Sequence, residues 1–497
     1  MQIERSSGIL LHPTSLPGPY GVGELGAEAY TFVDKLAQSR QSWWQILPLN
    51  PTDGSGSPYA SSSAFAMNTA LIPADEMHQL GLLTAEELAE LEDFAAGFSD
   101  DTYEVSQVLP YRIALFERAA GRFGQEHELF KDYEAFKAEQ SWLDDFALFS
   151  ALKDEHGGGS WTQWPEALRR REGKALSQAK DRLQAAIFAK SVLQFLSARA
   201  WQNLRSYAAQ KGVKLIGDIP IFVAFDSADV WANREYFLVD ADGLAKDVAG
   251  VPPDYFSATG QKWGNPLYDW DALAKDGYSW WMARIAQALA AFDVVRIDHF
   301  RGFESFWATP AEAPTAETGE WRKGPGSAFF DAVESHFGDV PFIAEDLGII
   351  TEEVEALRDN HHLPGMKILQ FAFDHNPDHP FLPHTYPEHC VAYTGTHDND
   401  TTMGWYWGEG EDTRHQVRSY LSHPDDGIMK AMMESLSASK ASLVVFPLQD
   451  IFELGTDARM NTPGTSEDNW GWRVTTDVLE QKDAWDALKE LTEKHGR

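Results

Sequence analysis

The sequence predicts an α/β protein, a (β/α)8 TIM barrel with inserted subdomains and no separate C-terminal β domain. Three observations carry this. Eight short, nearly continuous apolar runs recur along the 497 residues, most of them are separated by stretches of helical periodicity, and polar side chains gather where several runs end. Near-continuous apolar strands alternating with helices describe a parallel sheet covered on both faces. Eight such units favour a closed barrel over an open doubly wound sheet.

Taken in order, residues 8–12 form the first run, 27–40 a helix, and 43–49 the second run. The interval that follows is too long for one βα unit. It opens with the Ser/Gly/Pro-rich loop 53–63 and then shows helical patterns at 84–94, 111–123 and 142–153, so a mostly helical insertion over about 53–185 is expected, with an acidic loop at 98–104 inside it. A helix over 185–209 returns the chain to the third run, 213–220. A second insertion, about 226–276, is rich in Gly, Pro and aromatic residues. Long loops after barrel strands lie at the C-terminal face, where active sites form. Helices at 280–291, 327–337 and 351–360 precede or separate the runs 293–298, 341–346 and 366–371. The segment after that sixth run is too short for a full helix. Runs at 390–395 and 443–448 complete the eight, and 477–495 reads as a closing amphipathic helix, so residues 1–497 are expected to form a single catalytic barrel domain.

Composition narrows the partners. Lys and Arg number 41 against 76 Asp and Glu, a formal charge of -35, which argues against nucleic acid or an anionic membrane surface as a partner. The one cysteine, Cys390, cannot form an intramolecular disulfide and fits a reducing compartment. No basic-then-apolar leader is visible, and no apolar run reaches the roughly 18 residues of a membrane span. A cytoplasmic location and no membrane partner are therefore expected. The 18 Trp, 15 Tyr and 29 Phe supply flat faces that stack on sugar rings, although large cores use them too.

The chemistry centres on Val294-Val295-Arg296-Ile297-Asp298-His299-Phe300. Strand alternation puts Val294, Arg296 and Asp298 on one face. A fixed cation beside the Asp298 carboxylate keeps it ionised, as a nucleophile or charge stabiliser requires. Other runs end similarly, with Asp218 in Gly-Asp-Ile-Pro, Glu345 and Asp346 in Ala-Glu-Asp-Leu-Gly, and His397, Asp398 and Asp400 in Thr-His-Asp-Asn-Asp. In a barrel these ends converge on one face. Several carboxylates around one pocket suit glycoside chemistry, where one is the nucleophile and another the general acid/base. Glu345 and Asp346 adjoin, so only one faces inward, and spacing leaves open which. Asp298-His299 and His397-Asp398 also offer metal ligands, but no HxH or HExxH spacing accompanies them, and neither metal nor cofactor is expected. The glycines of 21–26 superficially suggest a dinucleotide loop, yet they do not follow a strand tightly and lack an acidic partner.

Nine blocks in order are more specific than any of these features. They are GILLHPTSLPGPYGVGELG (8–26), SPYASSSAFAMNTALI (57–72), GDIPIF (217–222), VPPDYFSATGQKWGNP (251–266), VRIDHFRGF (295–303), AEDLG (344–348), LPGMKILQFAF (363–373), YTGTHDNDTT (393–402) and ARMNTPG (458–464). Through them nearly the whole chain resembles the 4-α-glucanotransferases (amylomaltases or disproportionating enzymes), glycoside hydrolase family 77 of the α-amylase clan. The resemblance implies that Asp298 is the nucleophile, Glu345 rather than Asp346 the general acid/base, and Asp398 the transition-state stabiliser. It also implies that Asp218, Arg296 and His397 line the subsite of the transferred glucosyl unit, and that Ser57, Tyr59, Asp254, Gln261, Trp263 and Asn265 contact the glucan chain. Ala258 departs from some relatives, which carry a glutamate there. The implied substrates are α-1,4-glucans and maltooligosaccharides, with glucose or another glucan as acceptor, in a retaining double displacement. An α-1,4-glucan hydrolase of the same clan would share the three carboxylates. A non-catalytic glucan-binding protein would have no need to keep them.

Overall fold

The computed structural model describes residues 3–253, 257–465 and 467–497, and places twelve strands in two sheets among them. In chain order the strands are β1 (Ser6–Leu10), β2 (Trp43–Gln45), β3 (Lys214–Pro220), β4 (Asp247–Val251), β5 (Gln261–Pro266), β6 (Val294–Asp298), β7 (Ser305–Pro310), β8 (Glu320–Lys323), β9 (Phe342–Ala344), β10 (Gly365–Ile368), β11 (Cys390–Tyr393) and β12 (Leu443–Pro447). Eight of them form one all-parallel sheet in the order β10-β11-β12-β1-β2-β3-β6-β9. The two ends of that order meet where the Ala344 amide donates to Pro364 O at 2.9 Å, so the sheet curls into a barrel. All eight apolar runs read from the sequence are these strands.

Alternation along each strand separates two cores. Leu10, Trp43, Ile216, Val294, Ile343, Met366, Val391 and Val445 point inward and pack together in the barrel. Their neighbours Ile9, Trp44, Leu215, Val295, Ala344, Ala392 and Val444 point outward against the helices. The sheet is apolar on both faces because each face is covered. Inward parity continues past the apolar layers, so Asp218, Arg296 and Asp298 share the interior side with Ile216 and Val294.

Helices Ala27–Gln38, Gln184–Gln210, Ser279–Ala291, Ser327–Phe337, Glu352–Asn360 and Lys482–His495 lie close to their expected positions. After β10 there are only short 3-10 turns, Leu369–Ala372 and Pro383–Thr385, in keeping with the gap read from the sequence. The 27-residue helix Gln184–Gln210 serves two cores. Its first half packs Val192, Leu193 and Phe195 with Leu115, Phe116 and Tyr133 of the helical insertion, and its second half packs Trp201, Leu204 and Ala208 against the barrel. Helix Val105–Ala120 is pinned by the buried pair Arg112–Glu24, 2.5 Å apart, with Arg112 also donating to Ala70 O and Ile72 O.

Residues 21–26, the glycine-rich stretch, form a packed turn. A side chain on Gly23 would lie 2.0 Å from Pro13 O, and Gly26 caps helix Ala27–Gln38. Close backbone approach explains Gly23, and a left-handed φ of +78° explains Gly21.

Sequence periodicity missed the second sheet. Strands β4, β5, β7 and β8 form a four-stranded antiparallel sheet in the order β5-β4-β7-β8, with a register irregularity between Val248 and Gly250. It unites the expected 226–276 insertion with residues that follow β6. Among the described residues, no helix is long and apolar enough to cross a membrane.

Candidate active site

The C-terminal ends of β3, β6 and β9 and the loop after β11 bring the sequence-predicted residues together. Register does most of this. Asp218 pairs with Arg296 across β3 and β6, and Ile297 pairs with Ala344 across β6 and β9. Asp298 and Glu345 therefore follow paired residues on adjacent strands, about 4.8 Å apart by strand spacing.

Arg296 is the hub. One guanidinium nitrogen donates to Asp218 Oδ2 at 2.6 Å and the other to Asp298 Oδ1 at 2.8 Å. Its side chain is 5% exposed, those of Asp218 and Asp298 1% and 27%, so one cation serves a sealed carboxylate and one open to the pocket. Tyr59 donates its hydroxyl to Asp218 Oδ2 at 2.7 Å, while Asp218 Oδ1 is buried without a partner among the described residues. Burial pushes Asp218 up to about 7, with Arg296 pulling the other way. Removing the cation leaves both carboxylates facing each other. Arg296→Met is expected to cost about 3–5 kcal/mol of stability, as for other buried pairs that lose one member. Urea unfolding measures it, and an unchanged midpoint would show that the carboxylates do not need the cation to fold.

The ambiguity between Glu345 and Asp346 is resolved by what each touches. Ile343 is an inward residue, so Glu345 is inward too. Its Oε2 accepts the His299 amide at 2.7 Å and its Oε1 the Leu347 amide at 2.9 Å. Asp346 turns to the other side, accepts the Met366 amide at 2.7 Å and pairs with Arg358 of helix Glu352–Asn360. Glu345 is pushed up to about 8, first by burial and then by the Asp298 charge, while Arg296 and the two amides oppose the rise.

Both amides depend on unusual backbone. His299 has φ +52°, the left-handed region that a bulky residue rarely adopts, and Gly348 with φ +84° turns the chain just after Leu347. The His299 ring meets Trp263 edge-on at 4.8 Å.

Asp398 is held by a residue that sequence reasoning did not single out. Asn461 Nδ2 donates to Asp398 Oδ1 at 2.6 Å, and Arg459 donates to the Asp398 carbonyl at 2.9 Å. His397 Nε2 lies 3.4 Å from Asp398 Oδ2, and its ring stacks on Tyr59 with centroids 5.3 Å apart at 14°. Burial lowers the pKa of His397. His12, buried nearby, is pushed down to about 3 by burial and then by His397. Asn461 stands in the ARMNTPG block, but an isolated asparagine carries no periodicity or charge signal.

The remaining expected contacts lie on a loop and on β5 of the second sheet. Ser57 Oγ accepts the Tyr59 amide at 3.3 Å. On β5, Gln261 Oε1 accepts the Trp263 indole N–H at 3.2 Å, and Asn265 donates to Val223 O at 2.8 Å. Trp263 is 39% exposed, an open aromatic face beside His299. Asp254 lies outside the described residues. A grouping with ligand-like spacing among the described residues, Asp331, Glu334 and His361, includes none of these residues.

Arranged this way, an arginine-held carboxylate stands beside a carboxyl whose pKa burial pushes up to about 8, and Asp398 supplies a third carboxylate from the loop after β11. That set can attack a carbon centre and protonate its leaving oxygen in one step.

The chain is similar to known proteins over nearly its whole length. A family model described as 4-alpha-glucanotransferase matches residues 11–479. The 4-alpha-glucanotransferase of Synechocystis sp. is 47% identical, over 99% of this chain and 98% of that protein. That of Thermus thermophilus is 46% identical, over 99% and 100%. A solved amylomaltase from Streptococcus agalactiae in complex with acarbose superposes with a TM-score of 0.96 at 36% identity, covering 99% of this chain and all of that one. An amylomaltase from Corynebacterium glutamicum, 18% identical with a TM-score of 0.81 over 98% of this chain and 75% of that one, shares the fold.

Proposed function

The chain belongs to the 4-alpha-glucanotransferase family, and from that premise we propose how its own residues carry the transfer. Its activity is the retaining transfer of a segment of an α-1,4-glucan to the 4-hydroxyl of an acceptor. Asp298 attacks the anomeric carbon while Glu345 gives its proton to the departing glycosidic oxygen. The bond to the leaving chain breaks as a β-linked ester to Asp298 forms. Esterification removes the negative charge that helped hold Glu345 protonated, so Glu345 leaves the first step as a base. It then takes the proton of an acceptor 4-hydroxyl, whose oxygen displaces Asp298 and restores an α-1,4 bond.

The observation that carries this assignment is the placement of Asp298 and Glu345 at the ends of paired strands, with the amide of His299, the residue after Asp298, donating to Glu345. A retaining pair works at a separation of about 5–5.5 Å, close to the interstrand spacing. Asp398, oriented by Asn461, is assigned to the sugar hydroxyls, where its contacts strengthen as the ring flattens. Asp218, Arg296, His397 and Tyr59 are assigned to the ring of the transferred unit. Ser57, Asp254, Gln261, Trp263 and Asn265 are assigned to the glucan on either side. Trp263 favours a sugar over water at the ester by offering an acceptor ring a stacking face. Maltooligosaccharides are assigned as donors, and glucose or another glucan as acceptor. The single buried cysteine supports a cytoplasmic site of action.

Incubation with pure maltotriose tests the reading. Glucose together with a ladder of products longer than the substrate is expected. Glucose and maltose alone would assign the protein to hydrolysis instead.

A further inference from the structure

The outer face of the four-stranded sheet carries an aromatic pair that the reaction as described does not use. Trp307 of β7 and Trp321 of β8 are cross-strand partners, with ring centroids 5.3 Å apart at 67°. They are not equivalent. Trp307 is covered by the β7–β8 connection and donates its indole N–H to Ala316 O at 2.9 Å. Trp321 is 40% exposed. One face of its indole is backed by the Arg301 guanidinium, 3.8 Å from the ring centroid.

Arg301 is itself buried and joins this surface to both halves of the active site. It stands three residues after Asp298. It donates to Ser305 Oγ at 3.1 Å and to the carbonyl of Ile349, four residues after Glu345. Ile349 is also exposed, at 45%. Large apolar side chains gathered on one exposed surface mark sites of ligand or partner contact. An indole held flat by a cation on one side and a neighbouring ring at its edge has lost the freedom that binding would otherwise have to remove.

We propose that Trp321, with Ile349, is a second glucan-stacking platform outside the carboxylate pocket. It holds glucosyl rings of a long α-1,4-glucan beyond those gripped around Asp298 and Glu345. The occupant follows from Arg301, which ties the Trp321 ring to the loop that follows Glu345, and from the flat, partly apolar face of a pyranose. This deepens the transferase reading and rests on it. The platform raises affinity for long chains and leaves the shortest substrates untouched, because these do not reach past the pocket.

The test compares wild type, Trp321→Ala and Trp321→Phe on maltotriose and on long linear amylose. Trp321→Ala is expected to raise KM for amylose about tenfold, the effect of one lost stacking contact, with maltotriose kinetics unchanged. Trp321→Phe, which keeps a ring over Arg301, is expected to restore most of the amylose affinity. Affinity electrophoresis in gels containing amylose reads binding without catalysis, and there Trp321→Ala is expected to be retarded less than wild type. Equal losses on both substrates would make Trp321 a support for Arg301 and overturn the proposal. Unchanged amylose kinetics and unchanged retardation would overturn it as well. If wild type makes no product longer than maltotriose while the gel difference persists, the transferase reading fails and the platform stands.

Discussion

Asp298→Asn is expected to lower kcat on maltotriose by about 10^4-fold or more, the scale on which removal of a covalent nucleophile acts. The amide is nearly isosteric and still accepts one hydrogen bond from Arg296, so the site keeps its shape and loses the proposed nucleophile. KM is expected to move little, because Asp218, Tyr59 and His397 still face the pocket. Mass spectrometry after mixing with α-maltotriosyl fluoride distinguishes this from general disruption. Wild type gains a glycosyl mass on the Asp298 peptide, and the variant does not. A variant that turned over at the wild-type rate would remove Asp298 from the mechanism.

Glu345→Gln has a different signature, because the proposed mechanism uses the residue twice. The carboxyl is pushed up to about 8 by burial and by Asp298, so it carries its proton at pH 7. An acid that must be protonated loses function as pH rises through its pKa. Wild-type kcat/KM is accordingly expected to fall on the alkaline side from about pH 8. Glutamine has no proton to give, which lowers turnover by about 10^2–10^4-fold and abolishes that alkaline limb. It also replaces one acceptor oxygen by an amide nitrogen, so one of the two backbone amides at this site loses its bond. With α-maltotriosyl fluoride, whose leaving group needs little protonation, the first step is expected to recover. The glycosyl-enzyme then accumulates, since no base remains to activate the acceptor. A wild-type pH profile in Glu345→Gln would assign the acid to another residue.

Much of the barrel was legible from local pattern. Two-residue alternation along eight runs states which side chains share a face before any pairing is known, and this places Arg296 and Asp298 together on one face. Parity, strand length and helical period are properties of a few neighbouring residues, and they survive transfer from sequence to structure. The motif blocks extend this to Tyr59, Asp218, His397 and Asp398, whose roles a resemblance can imply without a contact being known.

What decides the chemistry of Glu345 over Asp346 is not local. Both are acidic, and both end the same strand. The choice is made by partners far along the chain, the His299 amide for one and Arg358 with the Met366 amide for the other. Asn461 reaches Asp398 across 63 positions. The second sheet pairs β4 with β7 across the whole of β6, and β4 shifts register against β5 between Val248 and Gly250, which breaks the alternation by which strands are recognised. The sequence alone determined the alternating faces, the barrel and the family. Only the tertiary structure decided which carboxyl is buried beside Asp298 and which backbone amides hold it, because burial and hydrogen bonding between distant segments arise when the chain closes on itself.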